Sequence, residues 1–131
     1  MGPITQDGRK RTFVNFDSNM DIDFVEYYEK VRAIVLNFPG VLASTSYGTP
    51  AFKVKDKMFA RFKEDGKTLV VYTEERNKWM KQDPTTFFIT DHYKNYPAML
   101  IDLATVKKKD LEYLLLASWQ IRAPKSLLKK K

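Results

Sequence analysis

The sequence predicts an α+β domain, a two-layer sandwich in which helices cover one face of an antiparallel sheet. Apolar residues recur at helical spacing near both ends of the chain, and short alternating segments separated by tight turns fill its middle. The predicted order of elements is α-β-β-β-α-β-β-α. With 131 residues, 44% of them hydrophobic, and no cysteine, the chain can form one hydrophobic core that needs no disulfide.

The first helix is predicted from an apolar stripe whose members lie three or four residues apart. Its members are Phe24, Tyr27, Tyr28, Val31, Ile34, Val35 and Phe38. Asp23 and Glu26 have the spacing of a capping box at the start, and Pro39-Gly40 ends the helix. Residues 1–20 show no periodicity, so we expect a loosely ordered arm before a single domain at residues 21–128.

Three strands are predicted next, each with alternating side chains: Ala51–Val54, Met58–Phe62 and Thr68–Thr73. Asp56-Lys57 and Asp65-Gly66 are turn signals between them. Strands joined by such short turns pair antiparallel.

In the second half of the domain the sequence predicts a helix, two strands and a final helix. Thr73 is the predicted cap of a short helix that Asp83-Pro84 terminates. The predicted bounds are Glu74–Gln82 for this helix, Thr86–Thr90 and Ala98–Leu103 for the strands, and Lys107–Ile121 for the last helix, with Leu111, Leu114, Leu115 and Ile121 as core candidates. A basic tail at residues 129–131 follows.

Several segments follow one another in a characteristic order and spacing: Phe38-Pro39-Gly40-Val41, Ser44–Val54, Lys57–Arg61, Asp83-Pro84, Phe87–Thr90, His92-Tyr93, Tyr96-Pro97, Ser118-Trp119 and Arg122–Lys125. Together, over about residues 21–128, they resemble the MmcQ/YjbR family of small bacterial proteins. The resemblance implies a CyaY-like α+β fold, which is also compared with secretion chaperones. It further implies DNA binding through a so-called double-wing arrangement.

The sequence contains no pattern that would predict enzymatic activity, a cofactor or a metal site. The absence of cysteine excludes thiol nucleophiles and Cys-based zinc sites, and neither a Walker A loop nor a dinucleotide fingerprint occurs. His92 is the only histidine and belongs to no recognisable triad pattern, so a hydrogen-bonding role in its loop is favoured.

The acidic first helix leaves a second interpretation open, because frataxin-type proteins of the CyaY-like fold handle iron through such a helix. The acidic residues are Asp17, Asp21, Asp23, Glu26 and Glu29. Clustered carboxylates suit hard cations, but acidic residues are also common in the first turns of a solvated helix. We favour the solvated face.

A net charge of +7 favours a polyanionic partner, and DNA is the partner we predict. The candidate DNA-binding residues are Lys53, Lys55, Lys57, Arg61, Lys94, Arg122 and Lys125. Lys53 and Lys55 are predicted to point to the open face of the sheet, and Lys57 to lie at a hairpin tip. The alternative is that strand lysines only prevent edge-to-edge aggregation.

Two loops carry further alternatives. The polar segment Ser44–Pro50 is predicted as a loop whose hydroxyls satisfy local backbone groups, rather than one that binds phosphate. The aromatic loop with His92, Tyr93 and Tyr96 either stacks on a base beside Lys94 or binds another protein.

The chain has no membrane-length apolar run and no secretory leader pattern, so we expect a cytoplasmic protein without a membrane or small-molecule partner.

Overall fold

The computed structural model describes residues 22–128, so the predicted arm at residues 1–20 and the tail at residues 129–131 lie outside the described residues. Its helices are α1 (Ile22–Val35), α2 (Arg76–Gln82), α3 (Lys108–Arg122) and α4 (Lys125–Leu128). Its strands are β1 (Val41–Ser46), β2 (Thr49–Val54), β3 (Lys57–Phe62), β4 (Thr68–Tyr72), β5 (Phe87–Phe88) and β6 (Ala98–Asp102). A 3-10 turn spans Asp91–Tyr93.

The six strands form one antiparallel sheet in the order β1-β2-β3-β4-β6-β5. Alternation along each strand divides the side chains between two faces. The helix-covered face belongs to one large apolar cluster with α1 and α3, and the other face carries a small cluster around Val70 and Leu100. The predicted α+β fold class, a sheet with a helical layer on one face, is confirmed.

The predicted order of elements needs one addition, because the segment at residues 41–50 is a hairpin and not a loop. β1 and β2 pair through Ser46 and Thr49, and Tyr47-Gly48 form the turn with φ of 53° and 79°. Positive φ at both central residues is the signature of a type I′ turn, which suits the twist of two strands. β1 lies at the edge and none of its six residues is buried, so it lacks the apolar alternation that marks a half-buried strand.

The helices also depart from the sequence prediction in detail. α2 begins at Arg76, and the Thr73 hydroxyl accepts a hydrogen bond from the Glu75 N–H at 3.0 Å before the helix starts. The predicted core residue Ile121 is 40% exposed. Ser118 and Trp119 take the inward positions near the end of α3, and Ile121 therefore faces solvent.

The end of α3 bridges β3 and β4 next to their pair Ala60↔Val71. The Ser118 hydroxyl donates to the Phe59 carbonyl and accepts from the Tyr72 N–H at 2.9 Å. One turn later the Arg122 Nε donates to the Met58 carbonyl at 3.0 Å. The helix is thus hydrogen-bonded to the sheet and not only packed on it.

Candidate functional site

The β2–β3 hairpin carries the largest group of candidate DNA-binding residues. Its turn is Lys55-Asp56, with φ of 49° and 71°, and Lys57 is the first residue of β3 rather than part of the turn. Left-handed backbone at two consecutive non-glycine residues costs about 1 kcal/mol or more per residue. The same φ pattern marks the Tyr47-Gly48 turn, so Lys55-Asp56 is a second type I′ turn, and it places the exposed Lys55 at the hairpin tip.

The three lysines of this hairpin point in different directions. Lys53 lies between the buried Phe52 and Val54, so its half-buried side chain is on the face away from the helices. Lys57 pairs with Val54 and is exposed on the helix side, and Lys55 is exposed in the turn itself. We call Lys53, Lys55 and Lys57 the basic hairpin.

The structure brings two more of the predicted residues to this end of the sheet. Arg122 bonds to the carbonyl of Met58, next to Lys57, and its guanidinium lies 4.3 Å from the centre of the Tyr72 ring. Lys125 is exposed in α4. That helix approaches the same end, because a methyl group on Gly40 would come within 2.9 Å of Leu127 Cδ1.

Arg61 is placed inside the protein and not at the interface for which it was predicted. It is 5% exposed, and its guanidinium donates to Thr49 Oγ1 at 2.9 Å and to the Tyr93 hydroxyl at 3.3 Å. The exposed ring of Tyr47 lies 5.3 Å from the same guanidinium. Arg61 is therefore removed from the set of exposed cations and joins the β1–β2 turn to the aromatic loop.

Two hydroxyls of the β1–β2 hairpin, those of Ser44 and Thr49, are engaged locally, in line with the structural interpretation of this segment. Thr49 Oγ1 donates to the Ser46 carbonyl at 2.9 Å while it accepts from Arg61. Ser44 Oγ donates to the neighbouring Thr45 carbonyl at 3.4 Å.

The aromatic loop is anchored by Arg76, a residue that sequence analysis missed. Its guanidinium donates to four backbone carbonyls, those of Tyr93, Lys94, Tyr96 and Ala98, at 2.6–3.0 Å. The one sequence signal for this role is that Arg76 is a basic residue in the first turn of α2, where acidic residues are favoured. A backbone held in this way is preorganised to present side chains.

The side chains that this loop presents are His92, Tyr96 and Lys94, all exposed. The His92 ring lies 4.7 Å from the Tyr93 ring and 5.9 Å from the Tyr96 ring. Tyr93 itself is half-buried against the Val70 cluster. Lys94 therefore belongs to the aromatic loop, and no contact joins it to the basic hairpin in the part of the chain that the structure describes.

Residues 22–128 contain neither a metal-binding cluster nor a helix that could cross a membrane. No group of three or more histidine or acidic side chains there could hold a metal ion. None of the helices in that range combines the length and apolar character that crossing a membrane requires.

Comparison with known proteins identifies similar sequences and similar solved structures. A family model described as YjbR matches residues 36–121. Uncharacterized proteins of Mycobacterium bovis and Mycobacterium tuberculosis are 41% identical over 46 residues, which are 35% of this chain and 36% of each relative. The matched segment thus spans about a third of these curated relatives. The crystal structure of Deinococcus radiodurans protein DR2400, with a DUF419 domain, is similar at a TM-score of 0.63 and 20% identity, over 72% of this chain and 76% of that one.

Proposed function

This chain belongs to the YjbR family, and from that premise we propose that it is a non-enzymatic binding module that contacts DNA through the basic hairpin. The observation that carries the proposal is the strained Lys55-Asp56 turn, which holds an exposed lysine at a hairpin tip between Lys53 and Lys57. Backbone strain of this kind is retained where the surroundings enforce it, and it concentrates at functional positions.

The chemistry of the hairpin suits phosphate and not base recognition. Lysine is a point charge on a flexible stem, and contacts of this type position a protein on the duplex without reading its sequence. Arg122 and Lys125 add cations at the same end of the sheet, whereas the only acidic residue in the turn is Asp56. We therefore expect sequence-tolerant, salt-sensitive binding.

The salt dependence gives the proposal a numerical test. Each neutralised phosphate of duplex DNA contributes a slope of about −0.9 to the plot of log affinity against log salt. Three contacts, one per lysine of the basic hairpin, predict a slope near −2.7, since three times −0.9 is about −2.7. Fluorescence anisotropy with a labelled duplex at several low salt concentrations would measure it.

The decisive comparison is between two triple variants of equal net charge. Lys53→Ser, Lys55→Asn and Lys57→Ser should lose most of the affinity and most of the salt slope, and asparagine at residue 55 tolerates the left-handed backbone. The control variant carries Lys81→Ser, Lys107→Ser and Lys109→Ser, at exposed lysines of α2 and the start of α3. Equal loss in both variants, or no binding by the parent protein at low salt, contradicts the proposal.

The proposal includes no catalytic step, cofactor or metal. The described contacts of His92 are with tyrosine rings, and these offer no partner that would activate it as a general base. A DNA partner would place the protein in the cytoplasm.

A second candidate function is protein binding through the aromatic loop, which the Arg76 anchor favours because it fixes the loop before any partner arrives. A protein retained by the parent chain after nuclease treatment, and lost on His92→Ser with Tyr96→Ser, would support it. Loss of all co-purifying species on nuclease treatment would exclude it.

A further inference from the structure

Within the part of the chain that the structure describes, β1 is an edge strand without the usual protection. It is the first strand in the sheet order and pairs with β2 in unbroken register over all six residues, Val41–Ser46. Its sequence, VLASTS, contains neither a charged residue nor proline. Natural edge strands are normally shielded by charge, proline, a bulge or a covering segment, because an open edge templates further pairing.

The hairpin of this strand also carries the most exposed apolar side chains of residues 23–128. Tyr47 is 85% exposed and Leu42 is 70% exposed, more than any other large hydrophobic residue in that range. Exposed apolar surface beside an open strand edge indicates an interaction surface.

We propose that β1 pairs antiparallel with β1 of a second copy of this chain, about a two-fold axis at Ala43. The two-residue turn Tyr47-Gly48 makes Ser46↔Thr49 a hydrogen-bonded pair, so the hydrogen-bonded positions of β1 alternate back from Ser46. The N–H and C=O groups of Val41, Ala43 and Thr45 consequently point to the free edge.

Pairing about Ala43 satisfies all of these outward groups. Ala43 lies opposite the partner's Ala43, and Val41 lies opposite the partner's Thr45, each as a hydrogen-bonded pair. Leu42 then lies beside the partner's Ser44 on the open face. A two-fold contact of this kind is self-complementary and closed, so it forms a dimer and not a fibre.

The strand suits its own copy in charge and in shape. No charged residue meets another across the junction, because β1 is neutral and Lys53 lies one strand further in. In the same register the partner's Ser46 falls opposite Gly40, so the partner's Tyr47, which follows it in the turn, lies near this end of β1. A groove of about 720 Å³ lies there, and it is lined by the apolar Leu36, Phe38 and Leu42 and also by Lys53, Lys55 and Asp56.

The size of the contact predicts a weak dimer. Standard interfaces involve about 20–30 residues on each side. One six-residue strand with Tyr47 and the groove provides fewer residues than that. We therefore expect a reversible dimer in the micromolar range or weaker, which forms as protein concentration rises.

Analytical ultracentrifugation of the full chain from low micromolar to near-millimolar concentration tests this proposal. Two variants, each with a single substitution at Ala43, are compared with the parent. Ala43→Pro removes an outward N–H without touching the bonds to β2, and each dimer thereby loses two donors. Its dimer affinity should fall at least about tenfold. Ala43→Val keeps the N–H at an exposed position and should dimerise like the parent.

Hydrogen exchange distinguishes this register from any other contact. Protection of the Val41, Ala43 and Thr45 amides should rise with protein concentration, while protection of the Leu42, Ser44 and Ser46 amides should not change.

A monomer at every concentration, or a dimer that Ala43→Pro leaves intact, overturns the proposal. Should circular dichroism show that Ala43→Pro is unfolded, Tyr47→Asn, which keeps the turn and removes the ring, provides the same test. The basic hairpin is unchanged in all of these variants, so failure here is distinguishable from failure of DNA binding.

Discussion

Arg61 and Arg76 show how two cations of a basic protein can be used internally. Arg61 joins Thr49 to Tyr93 across the open face, and Arg76 gathers the carbonyls of the aromatic loop. The planar guanidinium has five donors in a fixed fork, which allows one side chain to serve several acceptors. A count of charged residues would include both arginines among the cations available to a partner. Only their contacts show that they stabilise the fold.

Arg76→Ala should destabilise the protein by about 2 kcal/mol, because carbonyls of a partly exposed loop lose a charged donor. Chemical denaturation would give the loss, and hydrogen exchange should show faster exchange at the Tyr93–Ala98 amides. Arg76→Lys is the matched control and should recover part of the stability, since one ammonium cannot reach all four carbonyls. Unchanged stability and exchange in Arg76→Ala would show that the anchor has no effect.

At the scale of the element, the β3–β4 hairpin depends on the Asp65 carboxylate. It accepts hydrogen bonds from the N–H groups of Lys67 and Thr68, both at 2.9 Å, and from the Thr68 hydroxyl at 2.7 Å. Burial of the carboxylate opposes ionisation, but these hydrogen bonds and the Lys67 charge outweigh it. The pKa of Asp65 is therefore lower than its ordinary value of 3.8.

A lowered pKa in the folded state means that Asp65 contributes stability above its unfolded pKa of 3.8, and this contribution disappears as the pH falls through the folded pKa. Asp65→Asn should cost about 1 kcal/mol at neutral pH, a value reduced for partial solvent exposure. Urea denaturation from pH 7 to pH 3 should show a smaller acid loss for the variant than for the parent. Parallel pH curves for both proteins would contradict this assignment.

α3 depends at its end on Ser118, whose hydroxyl connects the Phe59 carbonyl to the Tyr72 N–H between two strands. Ser118→Ala should destabilise the fold by about 2 kcal/mol, since it leaves a buried donor and a buried acceptor without a partner. Ser126→Ala in α4, at an exposed serine, is the control and should change stability by less than about 0.5 kcal/mol. Thermal or urea unfolding measures both, and equal values would disprove the bridge.

Across the whole molecule, the start of α1 and the basic hairpin lie at opposite ends of the sheet. The start of α1, with Asp23 in its first turn, lies near the β3–β4 hairpin, because Phe24 packs within 3.2 Å of the position a Gly66 Cβ would occupy. The basic hairpin and Arg122 lie at the other end. A local excess of cations at one end raises the rate at which a polyanion meets that end.

The two surfaces that the proposals use differ in how far sequence could find them. The lysines of the basic hairpin are visible in the sequence, because alternating segments around a turn signal predict their strand. The β1 edge was missed, since an edge strand without a single buried residue has no apolar alternation to detect. Arg122 was found as a cation, but its bond to Met58 joins residues 64 positions apart and has no sequence signature.

The sequence by itself determined the fold class, the apolar faces of α1 and α3 and the three central strands, because these depend on local periodicity and turn chemistry. Tertiary structure alone decided that β1 is a free edge, that Arg61 is buried and Arg76 anchors the aromatic loop, and that Ser118 joins α3 to the sheet. Each of these depends on contacts between residues distant in sequence, and such contacts arise only when the chain has folded.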